Sequence, residues 1–168
     1  MQYNHCLKTV GADIYLSNDY TALQDSMRSV NQKVEEQNGK LFKNYKDVVA
    51  QLTTVTEMAA NVQNKTVERK EEIKQEIAAL QTEVTAIIAQ NNELIAQAPK
   101  GKEGAAALEA IKGDNTIVET TMSEVATQVA EDQLLPALTK VNAAKEKAVA
   151  LNSELNEVIA KYSKSKKK

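Results

Sequence analysis

A seam of apolar residues that recurs in steps of three and four over most of its length is the strongest constraint on this chain. From Leu41 it runs through Tyr45, Val48, Leu52, Val55, Ala59 and Val62, then Ile73, Ile77, Leu80, Val84, Ile87, Asn91, Leu94 and Ala98. That spacing keeps one narrow stripe on one side of a helix. Neither Gly nor Pro interrupts it between Lys40 and Ala98. Two-residue alternation is absent, which excludes strands. Between Val62 and Ile73 the seam weakens, because Thr66 and Arg69 hold the expected core slots.

Pro99-Lys100-Gly101-Lys102-Glu103-Gly104 is turn chemistry. Periodicity restarts at Leu108 and Ile111, and Gly113-Asp114-Asn115 reads as a hiccup in the helix or a second short turn. The return seam is Val118, Met122, Val125, Val129, Leu134 or Leu135, Leu138, Val141, Ala144, Ala148, Leu151, Leu155, Val158 and Tyr162. Two arms of nearly equal length joined by a short loop are expected to pair antiparallel, with facing residue numbers summing to about 203. At that register Glu131 and Asp132 lie opposite Glu72 and Glu71, with Arg69, Lys70 and Lys74 within a turn, Glu154 and Glu157 meet the level of Lys43 and Lys46, and the tail from Lys161 meets Glu35 and Glu36. Opposite signs at each level suit paired helix flanks. Pro136 would fall opposite Val67, beside the polar stretch Asn61 to Thr66. This predicts a shared kink; the alternative is a true turn at 61–66, folding the arms into a bundle of four or five helices.

Residues 1–16 show no helical period and carry several β-formers around Gly11, so they read as a short non-helical arm packed on the bundle or on another subunit. Ser17, Asn18 and Asp19 are good N-cap types. The next helix, about 18–38, has Leu23, Met27, Val30 and Val34 as its seam, and Asn38-Gly39 supplies a left-handed stop. Folding back there lays this helix along 41–61 and 142–162. The expected architecture is all-α: a long antiparallel, coiled-coil-like helical hairpin (helices about 41–98 and 105–162, with a kink or break near 61–66 and 136). A third N-terminal helix packs at its base, and a basic tail occupies 163–168.

The absence of Trp, a single Phe and 4% aromatic content favour slim helix–helix seams over a thick core. A net charge of −2 gives no overall bias toward nucleic acid. The lysine tail (Lys161, Lys164, Lys166, Lys167, Lys168) reads as solvated, and a membrane-surface contact is expected only through it. No secretory leader or run long enough to span a bilayer is visible, so the expected location is the cytoplasm or an assembly. One cysteine, Cys6, cannot make an internal disulfide.

Reactive constellations are missing. His5 beside Cys6 supplies neither a closed metal site nor a nucleophile with an orienting third group. Gly101 to Gly104 lacks the spacing and the Ser/Thr of a phosphate loop. The spread acids Asp114, Glu119, Glu124, Glu131 and Asp132 form a solvated face and lack the close spacing of a calcium loop. No catalytic, cofactor-binding or metal-ligating residue is assigned, and no enzyme activity is expected. Asn91 and Thr66 are polar residues at seam positions, a device that selects register. The reading is a non-enzymatic structural or protein-interaction subunit that oligomerises or docks in a larger assembly through its seam and N-terminal arm. The alternative is a holdase chaperone gripping clients with its hairpin, which requires apolar residues exposed on the inner face.

Overall fold

In the computed structural model, which describes residues 2–98 and 105–165, all regular structure is helical. The helices are α1 (Gln2–Thr9), α2 (Ala12–Tyr15), α3 (Ser17–Asn38), α4 (Lys46–Gln97), α5 (Ala105–Ala130) and α6 (Leu134–Ser165). The turn expected at 99–104 and the end of the lysine tail at 166–168 lie outside the described residues. Two compact units divide the chain, Met1–Glu72 and Ile73–Lys168, and α4 contributes one half to each. Among the described residues, no helix is long and apolar enough to cross a membrane.

The second unit is the hairpin with its return arm folded once more. The seam of α4 buries Ile73, Ile77, Val84, Asn91 and Ala98, a heptad repeat. On α5 it is met by Ile111, Asn115, Val118 and Val125, and on α6 by Leu134, Ala137, Val141, Ala144, Ala148, Leu151 and Leu155. The expected antiparallel register holds between α4 and α5: Asn91 meets Asn115, Asn92 meets Glu119, and Lys74 lies 4.0 Å from Asp132. It does not continue along 134–162. There the chain turns, and α6 pairs with α5 through Lys140–Glu124 (2.7 Å) and Lys147–Asp114 (2.9 Å), and with α4 through Lys145–Glu83. The return arm expected over 105–162, with a kink or break near 136, is therefore two helices parted at 131–133, and this unit is a three-helix bundle.

The turn has a clear physical cause. Asp132 takes a left-handed conformation (φ 61°), its N–H bonds to Val129 O (3.1 Å), and Gln133 N–H bonds to Gln128 O (2.8 Å). These are the two bonds of a Schellman ending, with Asp where Gly is commoner. Pro136 then falls in the first turn of α6, where its missing N–H would have no helical partner. It marks a helix start and does not kink a helix. Across the chain α4 runs unbroken through Asn61 to Thr66, so neither a kink nor a turn is needed there. Gly113 likewise sits inside a continuous α5, with open space at its missing Cβ.

At the centre of the bundle lies a polar layer. Asn91 is fully buried and Asn115 nearly so. The Asn91 amide donates to Asn115 Oδ1 (3.2 Å) and to Ala148 O (3.1 Å), and its Oδ1 accepts from Asn152 Nδ2 (2.9 Å). Asn115 Nδ2 donates to Asn92 Oδ1 (3.0 Å). One side chain thus ties three helices at one height. Thr66, the other polar seam residue, is buried but donates only to Val62 O in its own helix (2.6 Å), which satisfies the hydroxyl without fixing any register.

In the first unit α3 packs on the first half of α4 around Leu23, Val30, Val48, Val55, Ala59 and Val62. The expected third helix is present, with Met27 and Val34 partly buried beside this core. The non-helical arm is not. Residues 2–9 and 12–15 are helical, and Leu7 (2% exposed) and Ala12 (0%) belong to the same core. Gly11, at φ 84°, makes the bend between α1 and α2, and a Cβ there would sit 3.0 Å from the Tyr15 ring. Short helices of this kind are held by packing, not by intrinsic propensity.

Ser17, Asn18 and Asp19 do not cap α3. The cap position is Leu16, without a side-chain bond, and Asp19 lies in the first turn, where it suits the helix dipole and reaches Lys65 (3.4 Å). Gly39 is not left-handed either (φ −77°). Tyr20 is 5% exposed, and its hydroxyl has no hydrogen-bond partner among the described residues. Replacing Tyr20 with Phe removes an unsatisfied group without opening a cavity. Stability should stay level or rise by up to about 1 kcal/mol in urea denaturation.

Candidate interaction surface

The loop from Gly39 to Tyr45 reverses the chain between α3 and α4, and it is built firmly at both ends. On the α3 side Gly39 N–H bonds to Glu35 O and Lys40 N–H to Gln37 O, both at 3.2 Å. Crossing to the other side, the Gln37 side-chain oxygen accepts from Asn44 N–H (3.1 Å), and Tyr45 donates its hydroxyl to Asn38 Oδ1 (2.6 Å). Asn44 Oδ1 accepts from Lys46 N–H (3.1 Å), an Asx turn that launches α4. Tyr45 packs against the core of the first unit.

With its foot tied down in this way, the loop presents Leu41 at 91% exposure and Phe42 at 87%. Phe42 is the only Phe of the chain. On α4, Val49 and Leu52 lie three residues apart and are also exposed. These four fall within residues 41–52, whereas Ile14, Val67, Ile117, Leu135 and Val149 are scattered. Single exposed apolar residues are ordinary; four within twelve residues, one of them a fully presented aromatic, make this segment the candidate surface of the chain.

Lys40, Lys43 and Lys46 are exposed and interleave with the apolar pair, while the exposed acids Glu35, Glu36 and Asp47 sit on the flanking helix ends. The site offers apolar surface and positive charge side by side.

The structure locates the other sequence candidates elsewhere. Cys6 is exposed on α1. Among the described residues no group of three or more His, Cys, Asp or Glu side chains is placed to hold a metal ion. Open grooves among the described residues include the following two. One, of about 230 Å³, is lined by Ser26, Gln51 and Met58 between α3 and α4; the other, of about 310 Å³, is lined by Asp114, Glu154 and Lys161 between α5 and α6. Both are open to solvent, unlike the enclosing pocket of a typical small-molecule site.

Sequence reasoning placed Leu41 in the seam and passed over Phe42. The signal was present: Phe42 fits no seam position, and lysines stand on both sides of the pair. No protein-family model matches the chain, and no curated protein or solved structure matches it.

Proposed function

We propose that this chain is a non-enzymatic docking subunit whose contact element is the 39–45 loop, carried on the helical scaffold. The observation that supports this most is the near-complete exposure of Leu41 and Phe42 on a loop whose backbone is pinned by side-chain bonds. A loop held in one conformation loses little entropy on binding. The seam residues are packed within the chain, and the N-terminal residues Leu7 and Ala12 are part of a core. The contact is therefore assigned to the loop and not to the seam or the N-terminal segment. A holdase reading needs apolar residues exposed along the hairpin's inner face, and Ile73, Ile77 and Val84 are buried there.

Site-specific photo-crosslinking in the source cells tests the proposal, with p-benzoylphenylalanine at position 42 and, as control, at the exposed Gln63 of α4. A discrete adduct at 42 that is absent at 63 is expected, and Leu41→Ser should weaken it. Identical adduct patterns at both positions would sink the reading.

A further inference from the structure

We propose that the loop's partner is an anionic bilayer surface: Leu41 and Phe42 enter the headgroup–acyl boundary while Lys40, Lys43 and Lys46 lie at the level of the lipid phosphates. This rests on the reading of the 39–45 loop as the docking element and adds the chemistry of what it docks to. Three observations carry it.

The first is shape. Leu41 and Phe42 stand out from the loop at 91% and 87% exposure as a small apolar wedge. A bilayer needs no matching pocket and accepts a small apolar wedge. The second is charge. Lys40 and Lys43 flank the apolar pair directly and Lys46 is the first residue of α4, so the charged residues nearest the pair in the chain are basic. The acids of the same region, Glu35 and Glu36 in the last turn of α3 and Asp47 in the first turn of α4, lie further from the pair along the chain. The third is rigidity. The bonds from Gln37 to Asn44 and from Tyr45 to Asn38 hold the loop open, so the two apolar side chains do not fold back onto the core. Two copies meeting at this loop would bring lysines against lysines, which disfavours self-association there.

The chain has no Trp, so Phe42→Trp places a single reporter at the site. At 87% exposure the exchange leaves the fold intact, which unchanged circular dichroism verifies. With mixed phosphatidylcholine–phosphatidylserine vesicles, Trp emission should shift to the blue and be quenched by lipids brominated near the top of the acyl chain. Three lysines favour the anionic surface by roughly a hundredfold; Glu35, Glu36 and Asp47 reduce this, so partition into pure phosphatidylcholine vesicles should be about tenfold weaker. Leu41→Ser combined with Phe42→Ser should abolish cosedimentation with the mixed vesicles.

Emission unmoved by either vesicle, with the position-42 adduct to a protein retained, would overturn the bilayer and leave the docking reading standing. A blue shift that grows with protein concentration alone would overturn it in favour of a second copy. Equal partition into both vesicle types would overturn the role given to the lysines. If neither vesicles nor concentration moves the emission and the adduct is also missing, both readings fall together.

Discussion

Replacing Asn91 with Ala is expected to destabilise the 73–165 bundle by about 3 kcal/mol. The side chain is fully buried and makes hydrogen bonds to Asn115, Ala148 and Asn152. Truncation removes all three and leaves Asn115 Oδ1 without its donor and Asn152 Nδ2 without its acceptor, while the Ala148 carbonyl keeps its place in the helical bonding of α6. Each buried orphan costs about 1–3 kcal/mol, more than the bond itself contributes. The cavity adds to the loss. Urea denaturation followed by circular dichroism measures it, and Tyr fluorescence in a Tyr162→Phe background separates the two units, because the other four tyrosines, Tyr3, Tyr15, Tyr20 and Tyr45, all lie in residues 1–72. The transition reported by Tyr should barely move. A double-mutant cycle with Asn115→Ala should return a coupling of about 1 kcal/mol, since the two share a bond. Additive losses would mean that the polar layer does not act as one unit.

Leu7→Ala should destabilise the first unit by about 3 kcal/mol, within the usual range for a buried Leu. Leu7 is 2% exposed and sits in a core of nine buried residues, so it carries a large share of a small total. Deleting residues 1–16 should do more. It removes Leu7 and Ala12 from the core and the Tyr15 ring from beneath the Lys70 ammonium, 5.5 Å from the ring centroid. Helicity should then fall by more than the deleted residues account for, as α3 frays. An arm that merely decorated the scaffold would leave helicity in the rest intact, and that result would contradict the packing described here.

Both effects bear on what could be read before the structure. The α4 seam was legible because a heptad spacing over fifty residues has only one physical use: a helix that buries one stripe. Asn91 was legible for the same reason, as a polar residue in an apolar register.

The break at 131–133 was harder to read. It lacks Gly, since Asp132 carries the left-handed position, and the nearby Pro136 suggested a kink. One signal did exist. Val125 and Leu134 are both buried, yet nine residues of continuous helix turn by about half a revolution, so the two could not share a seam unless the helix ended between them.

The N-terminal helices left a weaker trace. Leu7 and Val10 have helical spacing, but Gly11 and the short length hide it. The 39–45 loop was least legible, because Leu41 continues the seam spacing arithmetically. Nothing in spacing alone says that the helix begins five residues later, at Lys46.

The sequence by itself determined that this protein is helical and most of the stripe that its longest helix buries. Those properties are periodic, and periodicity is local. The tertiary structure alone decided that the return arm folds again, that the first residues join a core, and that Leu41 and Phe42 remain outside one. Each of these depends on which distant surfaces are available to cover a side chain, and on hydrogen bonds such as Gln37 to Asn44 that close only when the chain has already turned.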